Sequence, residues 1–407
     1  REFIALMAMV MALQALCIDA MLPALGQMAA DLDAGDPNRR QLVVGVFLFS
    51  AGFGSLLPGS LADRFGRRPV LFVCFAGYAL LSFACALVRD FSTLLVLRAI
   101  HALFSAGLAV LPGAIIRDRF QGDAMARMMS TVSMVFMLVP MLAPSLGQAV
   151  LLFAGWREIF AVMGLIAVVV WAWTWLRLPE TLHPEYRQPV QAAVIARNMW
   201  EAASNRAALG YVLGGSLLAG ALFGYINSAQ QLIGERMGAG SWFPILFAVM
   251  AGGMALANLT NSRIVERFGA RRVSHSALLV FIVVSVLQVL QAHRGVETLW
   301  QFIPLMTLNC AMIGFTSANF SSIALQPFAR IAGAAASFQA FLRMACASAL
   351  GALVGQAYDG TARPLSWALL VCGLAALGLV LYSEGGRLFR RLNPPGQARA
   401  VAEPAVR

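Results

Sequence analysis

The run Gly59-Ser60-Leu61-Ala62-Asp63-Arg64-Phe65-Gly66-Arg67-Arg68-Pro69 sets the frame for the rest of the chain. It joins two apolar stretches that are too long and too apolar for soluble core helices, so each reads as a membrane span. The run between them is then a short, strongly basic loop at a membrane face. It recurs in Arg263-Ile264-Val265-Glu266-Arg267-Phe268-Gly269-Ala270-Arg271-Arg272-Val273, which keeps the order acid-Arg-Phe-Gly-x-Arg. Glu266 follows Asp63 by 203 positions, about half of the 407 residues. The same basic loop at the same place in each half indicates a duplicated membrane bundle.

Composition agrees. The chain is 60% hydrophobic and 12% charged, against about 25% charged in soluble domains. All 30 basic residues are Arg. The formal charge of +11 does not indicate a nucleic-acid partner, because the arginines sit in short loops between apolar runs, as in cytoplasmic loops of membrane proteins. Cys17, Cys74, Cys85, Cys310, Cys346 and Cys372 all fall inside apolar runs without a C-x-x-C pair, and read as small packing residues. No secretory signal with a cleavage site is evident, and no metal or cofactor motif appears.

Twelve apolar runs are long enough to cross about 30 Å of hydrocarbon as helices: 3–28, 41–62, 69–88, 91–116, 124–150, 156–178, 207–233, 241–265, 272–292, 298–325, 331–357 and 364–384. The longest break, Leu178–Arg206, divides them six and six. The expected fold is therefore an all-α membrane protein of twelve transmembrane helices in two pseudo-symmetric six-helix bundles. Its parts are an N-terminal bundle (1–178), a cytoplasmic linker (179–206), a C-terminal bundle (207–386) and a cytoplasmic tail (387–407). Within the linker, Val190–Ala203 is apolar enough for a helix on the membrane surface.

With both termini on one side, that side takes Arg64, Arg67, Arg68, Arg117, Arg119, Arg127, Arg177, Arg187, Arg197, Arg206, Arg263, Arg267, Arg271, Arg272, Arg330 and the terminal arginines. The other takes only Arg39, Arg40, Arg89, Arg157, Arg236, Arg294 and Arg363. The arginine-rich side is expected to be cytoplasmic, which places a multi-pass chain in the cell inner membrane with both termini inside.

A charge at mid-membrane costs roughly 2.5–3.5 kcal/mol on insertion scales, so the few present are functional candidates. They are Asp19 in span 1, Arg98 in span 4 and Arg343 in span 11. His101 shares a helix face with Arg98 at i+3. Asp19 reads either as a carboxylate at the outer end of its span or as one facing an internal cavity, able to exchange a proton for a cationic substrate. Arg98 either serves coupling or bonds the span-1 backbone. His101 is either a proton relay or a hydrogen-bonded structural group. Arg343 is either a cavity cation that attracts anions or pairs with Asp19, or a donor to carbonyls between helices. In span 5, Pro140, Ala143, Pro144 and Gly147 suit a bent helix with small faces, against which neighbours pack closely.

These residues resemble a known family. The 59–69 loop is similar to the G-x-L-a-D-r-x-G-r-r loop between spans 2 and 3 of the major facilitator superfamily. Arg98 with His101 and Ala102 resembles the span-4 motif R-x-x-q-G of its proton-driven antiporters, with His for Gln and Ala for Gly. Pro140 to Gln148 resembles the span-5 motif g-x-x-x-G-P-x-x-G-G, with Gln148 for the last Gly. Ile18–Leu25, Ile116–Asp118, Gly155–Phe160, Leu178–Leu182 and Gly333–Ser337 look like the twelve-span drug:proton antiporters of the bicyclomycin/chloramphenicol-resistance (Bcr/CflA) type. The resemblance implies a central cavity open alternately to each side and drug export driven by proton entry, by a monomer whose partners are a small molecule, protons and the bilayer. Asp63 is then expected to latch onto the start of span 11 near Ile331–Gly333. Gly59 and Gly66 would allow the approach, and Arg67 and Arg68 would pair with acids of neighbouring loops. A dedicated exporter of one metabolite or siderophore is the alternative. A membrane-embedded enzyme finds no H-E-x-x-H, G-x-S-x-G or P-loop to support it.

Overall fold

The computed structural model describes residues 2–35, 37–120, 128, 131–132, 135–136, 138–182, 185, 192–294, 298–328 and 331–390. Arg127, Arg187 and Arg330 lie outside these, as do most of the first half of the expected span 5 and the tail beyond 390. Among the described residues all regular structure is helical. The first half holds α1 (Glu2–Asp19), α2 (Leu25–Asp31), α3 (Leu42–Gly54), α4 (Pro58–Phe65), α5 (Arg67–Ala86), α6 (Phe91–Arg119), α7 (Val139–Leu151) and α8 (Trp156–Arg177). The second holds α9 (Ala192–Ser204), α10 (Arg206–Ala229), α11 (Phe243–Phe268), α12 (Ala270–His293), α13 (Leu299–Leu325), α14 (Ala332–Gln356) and α15 (Arg363–Ser383).

Ten of the described helical stretches are long and apolar enough to cross a membrane, eleven if α3 and α4 form one bent span. These helices are apolar on every side, which suits one face against protein and one against lipid; Leu80 and Val73, for instance, are exposed on the outside of α5. Helices form because hydrocarbon leaves backbone groups no other partner. Their ends carry local signals: Asp90 accepts the Thr93 amide at 2.8 Å to start α6, and Asn205 accepts that of Ala208 at 3.2 Å to start α10.

One departure from the expected spans has a physical cause. The second span does not run straight through 41–62; it bends by 42° between Gly54 and Pro58. Pro58 has no N–H to donate and its ring crowds the carbonyl one turn earlier, so the ladder breaks there. Of the expected fifth span, α7 is the described part, and most of the first half lies outside the described residues. The linker helix is present as α9, packed on α10 and α14 with Trp200 exposed.

Within the first half α6 packs against α1, α3 and α5, and α5 against α8. Within the second, α10 packs against α14 and α15, and α13 against α11 and α12. The halves meet along α3 with α14 and along α7 with α11. A chamber lies between these two seams.

Candidate functional site

The chamber has a volume of about 500 Å³ and is lined from both halves, by α1, α6, α7, α10, α11, α13 and α14. Asp19, Gln14 and Ile18 of α1 face it, as do Pro140 of α7 and Arg343 of α14. Asp19 is the last residue of α1, where the chain turns through Met21-Leu22-Pro23 into a short 3-10 turn. Gly147 seats α7 against that turn: a Cβ there would lie 1.8 Å from the Ala20 carbonyl oxygen. Only a residue without a side chain allows this approach, so the span-5 glycine sets where the Asp19 backbone sits. Ala143, buried on the same helix, and Pro144 inside it complete that face.

Asp19 is 6% exposed and has no hydrogen-bond or ion-pair partner among the described residues. An ionised carboxylate held out of bulk water without a partner costs several kcal/mol, which a bound proton or cation relieves. Arg98 does not supply that charge. Cys17 and Asp19 are two residues apart on a helix, so their side chains diverge by about 200°. Cys17 faces α6 while Asp19 faces the chamber. Arg98 is fully buried and donates through Nη2 to the Cys17 carbonyl at 2.9 Å, through Nη1 to Cys17 Sγ at 3.0 Å and through Nε to the Val43 carbonyl at 3.4 Å. The Phe47 ring lies 4.2 Å from its guanidinium carbon. His101 is also fully buried, away from the chamber. Its Nε2 is 3.2 Å from Ser82 Oγ, its Nδ1 is 3.5 Å from Cys17 Sγ, and Tyr78 meets its ring edge-on at 4.4 Å. The structure therefore brings Asp19 and Arg343 to one chamber and holds Arg98 and His101 in the wall behind it.

Arg343 reaches into the chamber and has neither a hydrogen bond nor an ion pair among the described residues. The adjacent Met344 packs on Gly52 of α3, so Arg343 sits beside the seam between the halves.

At the arginine-rich end each half is braced within itself. Gly66 stands at φ +104°, a conformation that favours glycine, and a Cβ there would also lie 2.6 Å from Glu180 Oε2. Glu180 accepts the amides of Arg67 and Arg68 at 3.0 and 3.1 Å. Burial pushes its carboxyl upward, but the amides of Leu182, Arg68, Arg67 and Thr181 outweigh it and hold the carboxyl below the ordinary range. Arg67 donates to Asp118 Oδ2 at 2.8 Å and to Asp63, and Arg68 donates to the Trp175 carbonyl at 2.7 Å. Asp63 is thus paired within its own half. Ile331 packs with Ala202, Ala208 and Ala335, and a Cβ on Gly59 would meet no atom within 4 Å. In the second half Glu384 takes the place of Glu180: it accepts from Arg271 Nε at 2.7 Å and from Tyr211 Oη at 2.7 Å.

The polar contacts that join the halves cluster instead at the arginine-poor end. Arg40, before α3, donates through both terminal nitrogens to Glu235 at 2.8 and 3.0 Å. Asn38 Nδ2 donates to the Tyr358 carbonyl at 3.2 Å, and Gln356 Nε2 to the Asn38 carbonyl at 3.0 Å. The Gln41 and Gln231 carboxamides face each other, and Ser348 donates to the Gly45 carbonyl at 2.7 Å. Sequence reasoning did not single out Arg40 or Glu235. Their signal was two opposite charges at the ends of spans 2 and 7 on one face, without anything to pair them.

With this geometry in hand, likeness to known proteins becomes informative. The family model of the Major Facilitator Superfamily matches residues 4–352. The chain is 29% identical over 359 residues to a bicyclomycin resistance protein homolog of Haemophilus influenzae, covering 87% of this chain and 89% of that one. It is 28% identical over 398 residues to the multidrug resistance protein MdtL of Klebsiella pneumoniae, covering 96% and 95%. A solved structure of a bacterial homolog to the human lysosomal transporter Spinster superposes with a TM-score of 0.69 at 14% identity, covering 94% of this chain and 96% of that one, a likeness of fold.

Proposed function

We propose, from the premise that the chain belongs to the Major Facilitator Superfamily and is a multi-pass membrane transporter, that it is a proton-coupled antiporter. It exports small amphipathic drugs or toxic compounds across the inner membrane by alternating access. It is not an enzyme. The observation that carries the reading is Asp19: a carboxylate without a partner among the described residues, facing a chamber lined by both halves. Similarity to two resistance proteins supports export of foreign compounds.

In the proposed cycle the arginine-rich end faces the cytoplasm. The Arg40–Glu235 contact closes the outer end while substrate enters from inside. Ionised Asp19 holds the substrate, the two halves rock about the chamber, and the outer contacts part. Asp63 and Gly59 then meet the start of α14 and close the inner end, where the helix terminus offers roughly half a positive charge. Protonation of Asp19 from outside releases substrate, and the protonated form returns. Substrate and proton drive opposite exchanges because each changes the relative stability of the two states through its own affinity.

The test is transport in proteoliposomes with an imposed pH gradient, across cationic, neutral and anionic candidates. Accumulation that follows the gradient and acidifies the compartment receiving protons is the expected result. Gradient-independent movement of every candidate overturns the antiport reading.

A further inference from the structure

The proton cycle leaves one charge in the chamber unused. Three buried guanidinium groups near the helix seams are spent on the protein itself: Arg98 on two carbonyls and a thiol, Arg67 on two carboxylates, Arg40 on Glu235. Arg343 enters the chamber with no acceptor among the described residues. Asp19 enters it from the other half with the opposite charge, and the two do not form an ion pair. A chamber that keeps both an acid and a guanidinium unpaired holds each of them ready for a ligand. Guanidinium offers a planar fork of donors that matches a carboxylate. The chamber wall also carries the apolar side chains of Leu222, Phe247, Met250 and Met254, and a volume of about 500 Å³ suits a drug-sized body.

The sign of coupling narrows the ligand further. A cationic group competes with the proton for Asp19, so its binding and protonation exclude each other, as exchange requires. A plain anion on Arg343 does not compete. Protonating Asp19 removes a negative charge from the chamber and strengthens anion binding, so proton and anion would travel together. A molecule carrying both charges uses both groups and still competes with the proton.

We infer that the chamber takes a compact amphipathic zwitterion, its cationic group on Asp19, its carboxylate on Arg343 and its apolar body on the wall between them. The inference rests on the antiport reading and adds the substrate class. Because Met344 seats on Gly52 beside Arg343, a carboxylate there also bears on the seam along which the halves move.

The test uses one fluorescent body in three charge forms: Nα-dansyl-lysine as zwitterion, its methyl ester as cation and its Nε-acetyl derivative as anion. Each is titrated into the full-length protein in nanodiscs at neutral pH. The zwitterion is expected to bind roughly 10–100-fold more tightly than either relative, the span of one charge-assisted contact. Arg343→Gln should bring it down to the level of the ester without weakening ester binding, and an unchanged size-exclusion profile and melting curve show that the variant is folded. Asp19→Asn should bring it down to the acetyl form. Equal binding of ester and zwitterion, no effect of Arg343→Gln, or no binding of any form overturns the inference. Proteoliposomes separate it from the antiport reading. Ester driven by the pH gradient as well as the zwitterion keeps antiport and discards the zwitterion class. Arg343-dependent binding without gradient-driven uptake keeps the class and discards antiport.

Discussion

Breaking the Arg40–Glu235 pair should open the arginine-poor end, and the two partners should not be equivalent. The Arg40 side chain is 7% exposed and that of Glu235 is 51% exposed. Arg40→Gln leaves a half-solvated carboxylate, so the loss is that of a partly exposed pair, about 1 kcal/mol. That corresponds to roughly a fivefold shift between the closed and open outer ends. Glu235→Gln leaves a buried guanidinium without its carboxylate, with only the neutral Gln231 carboxamide beside it. Stranding a fully buried charge costs about 3–5 kcal/mol; with water reaching one side, about 2 kcal/mol is the working figure, or roughly a thirtyfold shift. The assay is electron–electron spin distance measurement between labels at Phe153 and Trp300, both strongly exposed at that end. The long-distance population should rise in both variants and more in Glu235→Gln, and the exchange Arg40→Glu with Glu235→Arg should restore part of the closed state. Equal shifts in the two single variants, or none, would refute the idea that a buried guanidinium pinned by one exposed acid holds this end shut.

Three further outcomes follow from the same geometry. Asp63→Asn should cut transport severalfold while the protein stays folded in membranes, because Arg67 keeps Asp118; initial-rate uptake together with size-exclusion profiles checks this, and normal rates would remove the inner latch. Gly147→Leu should cost about 1–3 kcal/mol of overpacking and displace the Asp19 turn, since even a Cβ at 147 would overlap the Ala20 oxygen; lower thermal stability with impaired coupling is expected, and a silent substitution would contradict the packing. Glu180 has its carboxyl held low, so its brace on the Arg67–Arg68 turn is complete above about pH 4.3, the ordinary Glu value, and is lost as pH falls through the lower folded-state value. The melting-temperature difference between wild type and Glu180→Gln should therefore be flat through neutral and mildly acidic pH and vanish only in strong acid; a change near neutrality would contradict it.

Much of the fold was legible because hydrocarbon is an uncompromising solvent. Apolar length marked the spans, and the repeated Asp63 and Glu266 loops marked the duplication. The bend at Pro58 was readable in principle from a proline after Gly54, but its angle depends on packing against α6. Asp19 and Arg343 were picked out as charges where charges are expensive, and the structure brings both to the chamber. Arg98 was picked out on the same ground, and His101 because it shares a helix face with Arg98. Which way each faces depended on the helix phase of Cys17, which no one-dimensional pattern fixes. The Arg40–Glu235 contact was not legible at all, since it joins residues 195 positions apart through the relative placement of the two halves.

The most direct measurement is paired transport by Asp19→Asn in proteoliposomes, comparing accumulation driven by a pH gradient with substrate-for-substrate exchange at equal pH. Gradient-driven accumulation should disappear while exchange of a neutral substrate survives. Undiminished gradient-driven accumulation in that variant would contradict it.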